Sequence, residues 1–192
     1  MARARQFDRE AALDLAMNEF WRKGYCAVSV KPLCEQMGIT RSSFYHSFGS
    51  LDALFEEVMS LYLSYNPMLE LDDQNLTAAQ AIRRCFKVLC KLRAKDKQHR
   101  GCLIINNLNE SYAMPPKTAK SLQAKIDNSI SALEASVERA KSEGLISPTQ
   151  NSRALALCLQ SLATGINTLS MQVHNEKELW EIADTTLSGL GV

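Results

Sequence analysis

The chain has 192 residues, a formal net charge of +1 and 46% hydrophobic residues, enough to bury a core in one domain or in a small domain joined to a larger one. With no global basic field, any contact with nucleic acid has to come from a local cluster of charge. Six cysteines (Cys26, Cys34, Cys85, Cys90, Cys102, Cys158) fall without a repeating spacing or a CxxC pair, which argues against a disulfide framework and against a sequence-local zinc or redox site. No apolar stretch follows the basic N-terminus, and no segment approaches the run of about 20 apolar residues that spans a bilayer. The expectation is a cytoplasmic protein with reduced thiols and no membrane partner.

Apolar spacing is helical throughout. Leu13, Ala16, Met17 and Phe20 make one face of a first helix that Gly24 ends. Ser29 is placed to cap a second helix carrying Val30, Leu33 and Met37, with Pro32 tolerated in its first turn, and Gly38 breaks it. Thr40 then caps a short third segment, Arg41 to Ser47, in which Phe44 and Phe48 point back to the first two helices while Arg41, Ser42, Ser43, Tyr45 and His46 stay outside. Ser50 caps the next, with Asp52 in its first turn and Leu54, Phe55, Val58, Met59 and Tyr62 on its apolar side, until Asn66 and Pro67 stop it.

A polar linker is expected around Asp72 to Asn75. Thr77 opens a helix with Ile82, Cys85, Phe86 and Leu89, which runs into the charged stretch Lys95 to Arg100 and is punctuated by Gly101. A short apolar helix around Cys102 to Leu108 precedes Pro115 and Pro116, and a long one follows with Leu122, Ile126, Ile130, Leu133, Val137 and Ala140 inward. In the last pair, Leu155, Leu159, Leu162, Ile166, Leu169 and Val173 alternate steps of four and three, the seam spacing of packed bundles. Leu179, Ile182, Thr186 and Leu190 make a second seam. With no β-branched alternation between turn signals, the fold class is all-α.

Two short helices joined by Gly38-Ile39-Thr40, the second with its apolar side held and its polar side free, are laid out as a helix-turn-helix. On the free side Arg41 is placed to reach a phosphate or a guanine edge, Ser42 and Ser43 offer small hydrogen-bonding groups, and Tyr45 and His46 are placed over flanking phosphates. Arg3 and Arg5 form a basic arm, and Lys31 and Arg41 stand at the starts of the two helices that face DNA. Phe44 and Phe48 are core.

The run Gly38-Ile39-Thr40-Arg41-Ser42-Ser43-Phe44-Tyr45-His46-Ser47-Phe48-Gly49-Ser50 resembles the helix-turn-helix signature of the tetracycline-repressor (TetR/AcrR) family. The resemblance extends over Phe7 to Phe55. It implies an N-terminal three-helix DNA-binding domain over residues 1–49, with Lys31, Thr40, Arg41, Ser42, Ser43, Tyr45 and His46 at the DNA. A C-terminal helical effector-binding and dimerisation domain follows over residues 50–192. It further implies a homodimer joined through the last two helices, with Leu155, Leu159, Leu162, Ile166, Leu169, Leu179, Ile182 and Thr186 at the interface, holding double-stranded DNA at a palindromic operator. A small-molecule effector, shifting the helix from Ser50 to Tyr65, would release the repressor. Two positions depart from the family pattern: Leu51 stands where a lysine often opens the fourth helix, and Ser42 replaces a common glycine.

The start Gly101-Cys102-Leu103, followed by Asn106 and Asn107, resembles a segment that borders the effector cavity in part of the family. Tyr62, Phe86, Cys102, Asn106 and Met171 are the candidate lining residues, since ligand cavities in bundles are apolar with a few polar anchors. Cys102 reads two ways: as a sensor thiol activated by His99 and Arg100, or as a small buried hydrophobe ahead of Leu103, Ile104 and Ile105. No serine elbow, Gly-rich phosphate loop or HExxH occurs, so neither an enzyme nor a metal or other cofactor is expected. Two other readings stay open. In one, the same fold is induced by an electrophile or oxidant acting on Cys102 or Cys26; in the other, the chain is a helical interaction protein without specific DNA binding.

Overall fold

The computed structural model describes residues 8–192 and is helical without strands over that range. The arm read at Arg3 and Arg5 lies outside the described residues. The Asp8 carboxylate accepts the Glu10 and Ala11 N–H groups to open α1 (Arg9–Lys23). The buried side of α1 is Ala12, Ala16, Glu19 and Phe20, rotated from the expected stripe, and Leu13 and Met17 are half-buried. The rotation follows from packing: α2 (Val30–Met37), α4 (Leu51–Leu63) and the short α6 (Leu103–Leu108) all press on α1. Glu19 tolerates burial because Arg22 and Lys23 hold its two oxygens at 2.6 and 2.5 Å.

Ser29 occupies the N-cap position of α2, but its hydroxyl makes no capping bond there; burial of Leu33 and Cys34 holds that helix instead. Thr40 does cap α3 (Arg41–Phe48), accepting the Ser43 N–H at 3.1 Å, and Ser50 caps α4 through the Ala53 N–H at 3.0 Å. Phe20, Tyr25, Phe44, Phe48 and Phe55 form the aromatic centre of a first core, with Phe20 and Tyr25 both edge-on to Phe55 at centroid distances of 5.0 and 4.9 Å. Such pairs add about 0.5–1.5 kcal/mol to the burial of the rings themselves.

Ahead of the polar linker, Pro67–Asp72 forms a 3₁₀ helix that buries Leu71 against α5 (Ala78–Lys95), and residues 73–77 between the two are turn and coil. Thr77 and Gln80 form a reciprocal capping box at the start of α5. After α6 and a 3₁₀ turn at Ser111–Ala113 come α7 (Pro116–Ser142), α8 (Ser152–Leu169) and α9 (Glu176–Gly189). A second core joins α5, α7, α8 and α9. At 27 residues α7 is about 40 Å long, and it runs through both cores, giving Leu122 to the first and Ile130, Leu133 and Val137 to the second.

Four of the residues expected at the dimer interface face inward. Leu155, Leu159, Ile166 and Leu179 are buried inside this single chain, at 7, 0, 1 and 0% exposure. Their seam packs on α5 and α7 and is not available to a partner. The outward side of α8 is a different stripe, Ala154, Leu157, Cys158, Ser161, Gly165 and Thr168, flanked by the half-buried Leu162 and Leu169. On α9, Ile182 is exposed and Thr186 half-buried.

Candidate DNA-reading face and effector cavity

The outer face of α3 presents Arg41, Ser42, Ser43, Tyr45 and His46 to solvent, while Phe44 and Phe48 anchor the helix beneath. The Thr40 hydroxyl is engaged by the Ser43 N–H and lies 2.9 Å from the Ser43 hydroxyl, so it serves the helix start as well as any ligand. Lys31 is exposed in the first turn of α2. Each of the two helices therefore carries an exposed cation in its first turn, Lys31 on α2 and Arg41 on α3, the kind of group that holds phosphates or reaches base edges.

Between the two cores lies a cavity of about 270 Å³, near the lower end of the size of small-molecule sites. Its wall combines Met17 and Trp21 from α1, Tyr62 and Leu63 from α4, Leu89 and Arg93 from α5, Cys102 just before α6, Ile104 and Ile105 from α6, Lys125 and Ile126 from α7, and Gln160 and Asn167 from α8. Arg93 donates to the Gly101 carbonyl at 2.5 Å and to the Tyr62 hydroxyl at 2.8 Å. The Tyr62 hydroxyl in turn donates to the Cys102 sulfur at 3.4 Å. Burial pushes the Tyr62 phenol far above its usual range, so it remains a donor.

Of the residues expected at the effector, the structure brings Tyr62 and Cys102 together on this wall and leaves three elsewhere. Phe86 is fully buried in the second core, on the same helix as Arg93 but not at the cavity. Asn106 is spent on the Arg100 carbonyl at 2.7 Å, and Met171 is exposed beyond the end of α8. The charges expected to activate Cys102 are also engaged elsewhere: Arg100 pairs with Asp96 at 3.0 Å and lies over the Trp21 ring at 4.0 Å, and His99 stacks on His174 at 3.4 Å. Trp21, Arg93, Lys125 and Asn167 went unnoticed in the sequence. Of these only Arg93 carries a signal there, since it falls in helical phase with Ile82, Phe86 and Leu89.

Two polar connections, one buried and one partly buried, tie helices of the cavity wall to the segment that follows α1. The Asn107 side-chain oxygen accepts the Tyr25 N–H at 2.7 Å, and its side-chain amide donates to the Leu103 carbonyl at 2.8 Å, clasping α6 to the segment just after α1. Asp52, in the first turn of α4, accepts the Thr118 and Tyr25 hydroxyls, both at 2.6 Å. The Thr118 bond and then the Tyr25 bond hold its carboxyl below the usual range. A carboxyl with a lowered folded-state pKa contributes stability that is complete above the unfolded value of about 3.9 and disappears as pH falls through the folded value. Asp52→Asn removes that contribution, so denaturant unfolding at pH 5 and pH 3 is expected to show a smaller acid loss in the variant than in the wild type. Equal losses would mean that Asp52 titrates alike in the folded and unfolded chains.

Comparison with known proteins agrees with this architecture at both ends of the chain. Residues 12–58 match the description "Bacterial regulatory proteins, tetR family", and residues 78–186 match "Tetracyclin repressor-like, C-terminal domain". The HTH-type transcriptional repressor ComR of Escherichia coli K12 is 28% identical over 96% of this chain and 90% of its own length. The HTH-type regulator YezE of Bacillus subtilis 168 is 24% identical over 99% of this chain and all of its own. A solved cysteine mutant of the TetR family regulator CifR, complexed with 26-base-pair operator DNA, superposes with a TM-score of 0.83 at 26% identity, covering 97% of this chain and 98% of that one. With both of its regions matched and a helix-turn-helix whose polar side is free, the chain belongs to the tetR family of bacterial regulatory proteins and is a DNA-binding transcriptional regulator.

Proposed function

We propose that the protein is a homodimeric repressor that holds a palindromic operator with two copies of α3 and is released by a small molecule bound in the cavity between its cores. The observation that carries this reading is the make-up of the cavity wall: α1 and α4 pack in the first core and α5 and α8 in the second, and all four line the cavity, so a ligand there would touch both cores. Residues 1–49 then act as the reading head and 50–192 as the body, with α4 transmitting between them. The names of two relatives support repression at an operator, ComR as a repressor and CifR through its operator complex. The outward stripe of α8, small enough at Ala154, Ser161 and Gly165 for close helix approach, together with Ile182 of α9, supplies a self-complementary face for a second copy. An effector that prefers the DNA-incompetent state by about 1–3 kcal/mol lowers operator affinity by roughly 5–150-fold.

The test is an anisotropy titration of the full-length protein against the DNA upstream of its own gene, repeated over a salt series. Arg41→Ala is expected to cost about 1–3 kcal/mol of specific binding if Arg41 reads a base edge, or to reduce the salt slope by about 1 if it holds a phosphate. Specific binding that is untouched by Arg41→Ala and by Tyr45→Ala removes α3 from the interface. A second reading has one observation in its favour: Cys102 lies on the cavity wall with a hydroxyl donating to its sulfur, which places a thiol where an electrophile would enter. Cys26 lacks that support, because partial desolvation and then the Glu110 carboxylate push its thiol upward, away from thiolate. Release by thiol-reactive agents that survives Cys102→Ser eliminates the second reading.

A further inference from the structure

Among the described residues, Arg93 is the one cation buried to 6% exposure, and none of their ion pairs includes it. Its partners are all uncharged: it donates to the Gly101 carbonyl and the Tyr62 hydroxyl and lies 5.9 Å from the centroid of the Trp21 ring, while its Nε–H is buried without an acceptor. A guanidinium does not escape this cost by losing its proton, as a lysine would. Two more orphaned polar atoms belong to residues of the same cavity, the Trp21 indole N–H and the Asn167 side-chain oxygen. The cavity wall also carries Lys125, which Glu56 already neutralises at 2.9 Å, and it includes no aspartate or glutamate. One positive charge therefore stands unmatched in an otherwise mostly apolar space. Buried charges are stable when paired.

We propose that the cavity takes a small organic monoanion, a carboxylate on an apolar body, with the carboxylate on Arg93 and the body against Leu89, Ile104, Ile105 and Ile126. The proposal rests on the effector reading above and gives it a ligand class. A single unmatched charge selects a monoanion over a dianion such as a phosphate ester, and a space of about 270 Å³ selects a short acyl or arylacetic acid over a long-chain one. The Arg93 guanidinium already spans the Gly101 carbonyl and the Tyr62 hydroxyl, so a carboxylate on it also bears on the contacts that join α4, α5 and the start of α6.

The experiment compares isosteres on the full-length protein at pH 7: octanoate with octanamide, phenylacetate with phenylacetamide, and inorganic phosphate as the control anion. It is read by quenching of tryptophan fluorescence, because Trp21 lines the cavity, and by thermal shift. At least one acid is expected to bind saturably and at least ten-fold more tightly than its amide. Arg93→Lys should retain part of that preference and Arg93→Met should lose it while still binding the amide. Amides that bind as well as the acids overturn the anion while leaving the cavity as an effector site. Phosphate competing as well as the acids overturns the organic monoanion in favour of an inorganic anion site. No saturable binding by acid or amide removes the proposal together with the effector reading on which it rests.

Discussion

Phe86→Ala is expected to lower the unfolding free energy by about 3–5 kcal/mol, the range for removing a buried phenyl ring from a core that does not collapse around the gap. Phe86 is fully buried among residues of α5, α7, α8 and α9, and it does not border the cavity between the cores. Truncation therefore leaves a void closed on all sides and opens no room for a ligand. Had Phe86 lined the effector site, as its sequence position suggests, its loss would enlarge an existing space at smaller cost and would change which ligands fit. Urea unfolding at one fixed protein concentration separates the two, the concentration being held because the proposed dimerisation would add to apparent stability. A loss below about 1 kcal/mol, accompanied by altered ligand selectivity, would return Phe86 to the cavity wall.

The reading head was legible in the sequence because its determinants are local. Thr40 and Ser50 cap helices that begin one residue later, and Phe44 and Phe48, four apart, must share the inner side of α3. The body was legible only as a set of helices. A stripe such as Leu155, Leu159 and Ile166 declares that one side of α8 is buried, but the spacing is the same whether the covering surface belongs to this chain or to a second copy. Here α5 and α7 cover it, and the stripe left for a partner is the less hydrophobic one through Ala154, Ser161 and Gly165. The cavity was harder still, because it draws on six helices far apart in sequence and no periodicity relates Trp21 to Asn167. Arg93 shows what the pattern did offer: an arginine at a position that helical phase assigns to the core is an anomaly, and it marks the unmatched charge.

Gly101→Ala is expected to cost about 2–4 kcal/mol, of which strain at positive φ is only one part. Gly101 has φ of 70°, and an added Cβ would lie 2.7 Å from the Asn167 backbone oxygen and 3.2 Å from the Met171 Cγ. The backbone of this loop therefore touches the backbone of α8 near its end, and a methyl group must push them apart. Gly144 has the similar φ of 73° with nothing within 4 Å of the added atom, so Gly144→Ala should show the conformational cost alone, about 1–2 kcal/mol. The difference between the two variants measures the contact rather than the dihedral. That contact bears on function through its neighbours: the Gly101 carbonyl accepts from Arg93, and the adjacent Arg100 reaches Asn18 of α1 at 2.6 Å while lying over Trp21. Displacing α8 from this loop would disturb the face proposed for the partner and the tether to α1 together, so Gly101→Ala should weaken operator binding although it leaves α3 untouched. Equal stability losses in the two variants, with operator affinity unchanged, would show that the loop yields freely and that α8 is not held to the reading head through Gly101.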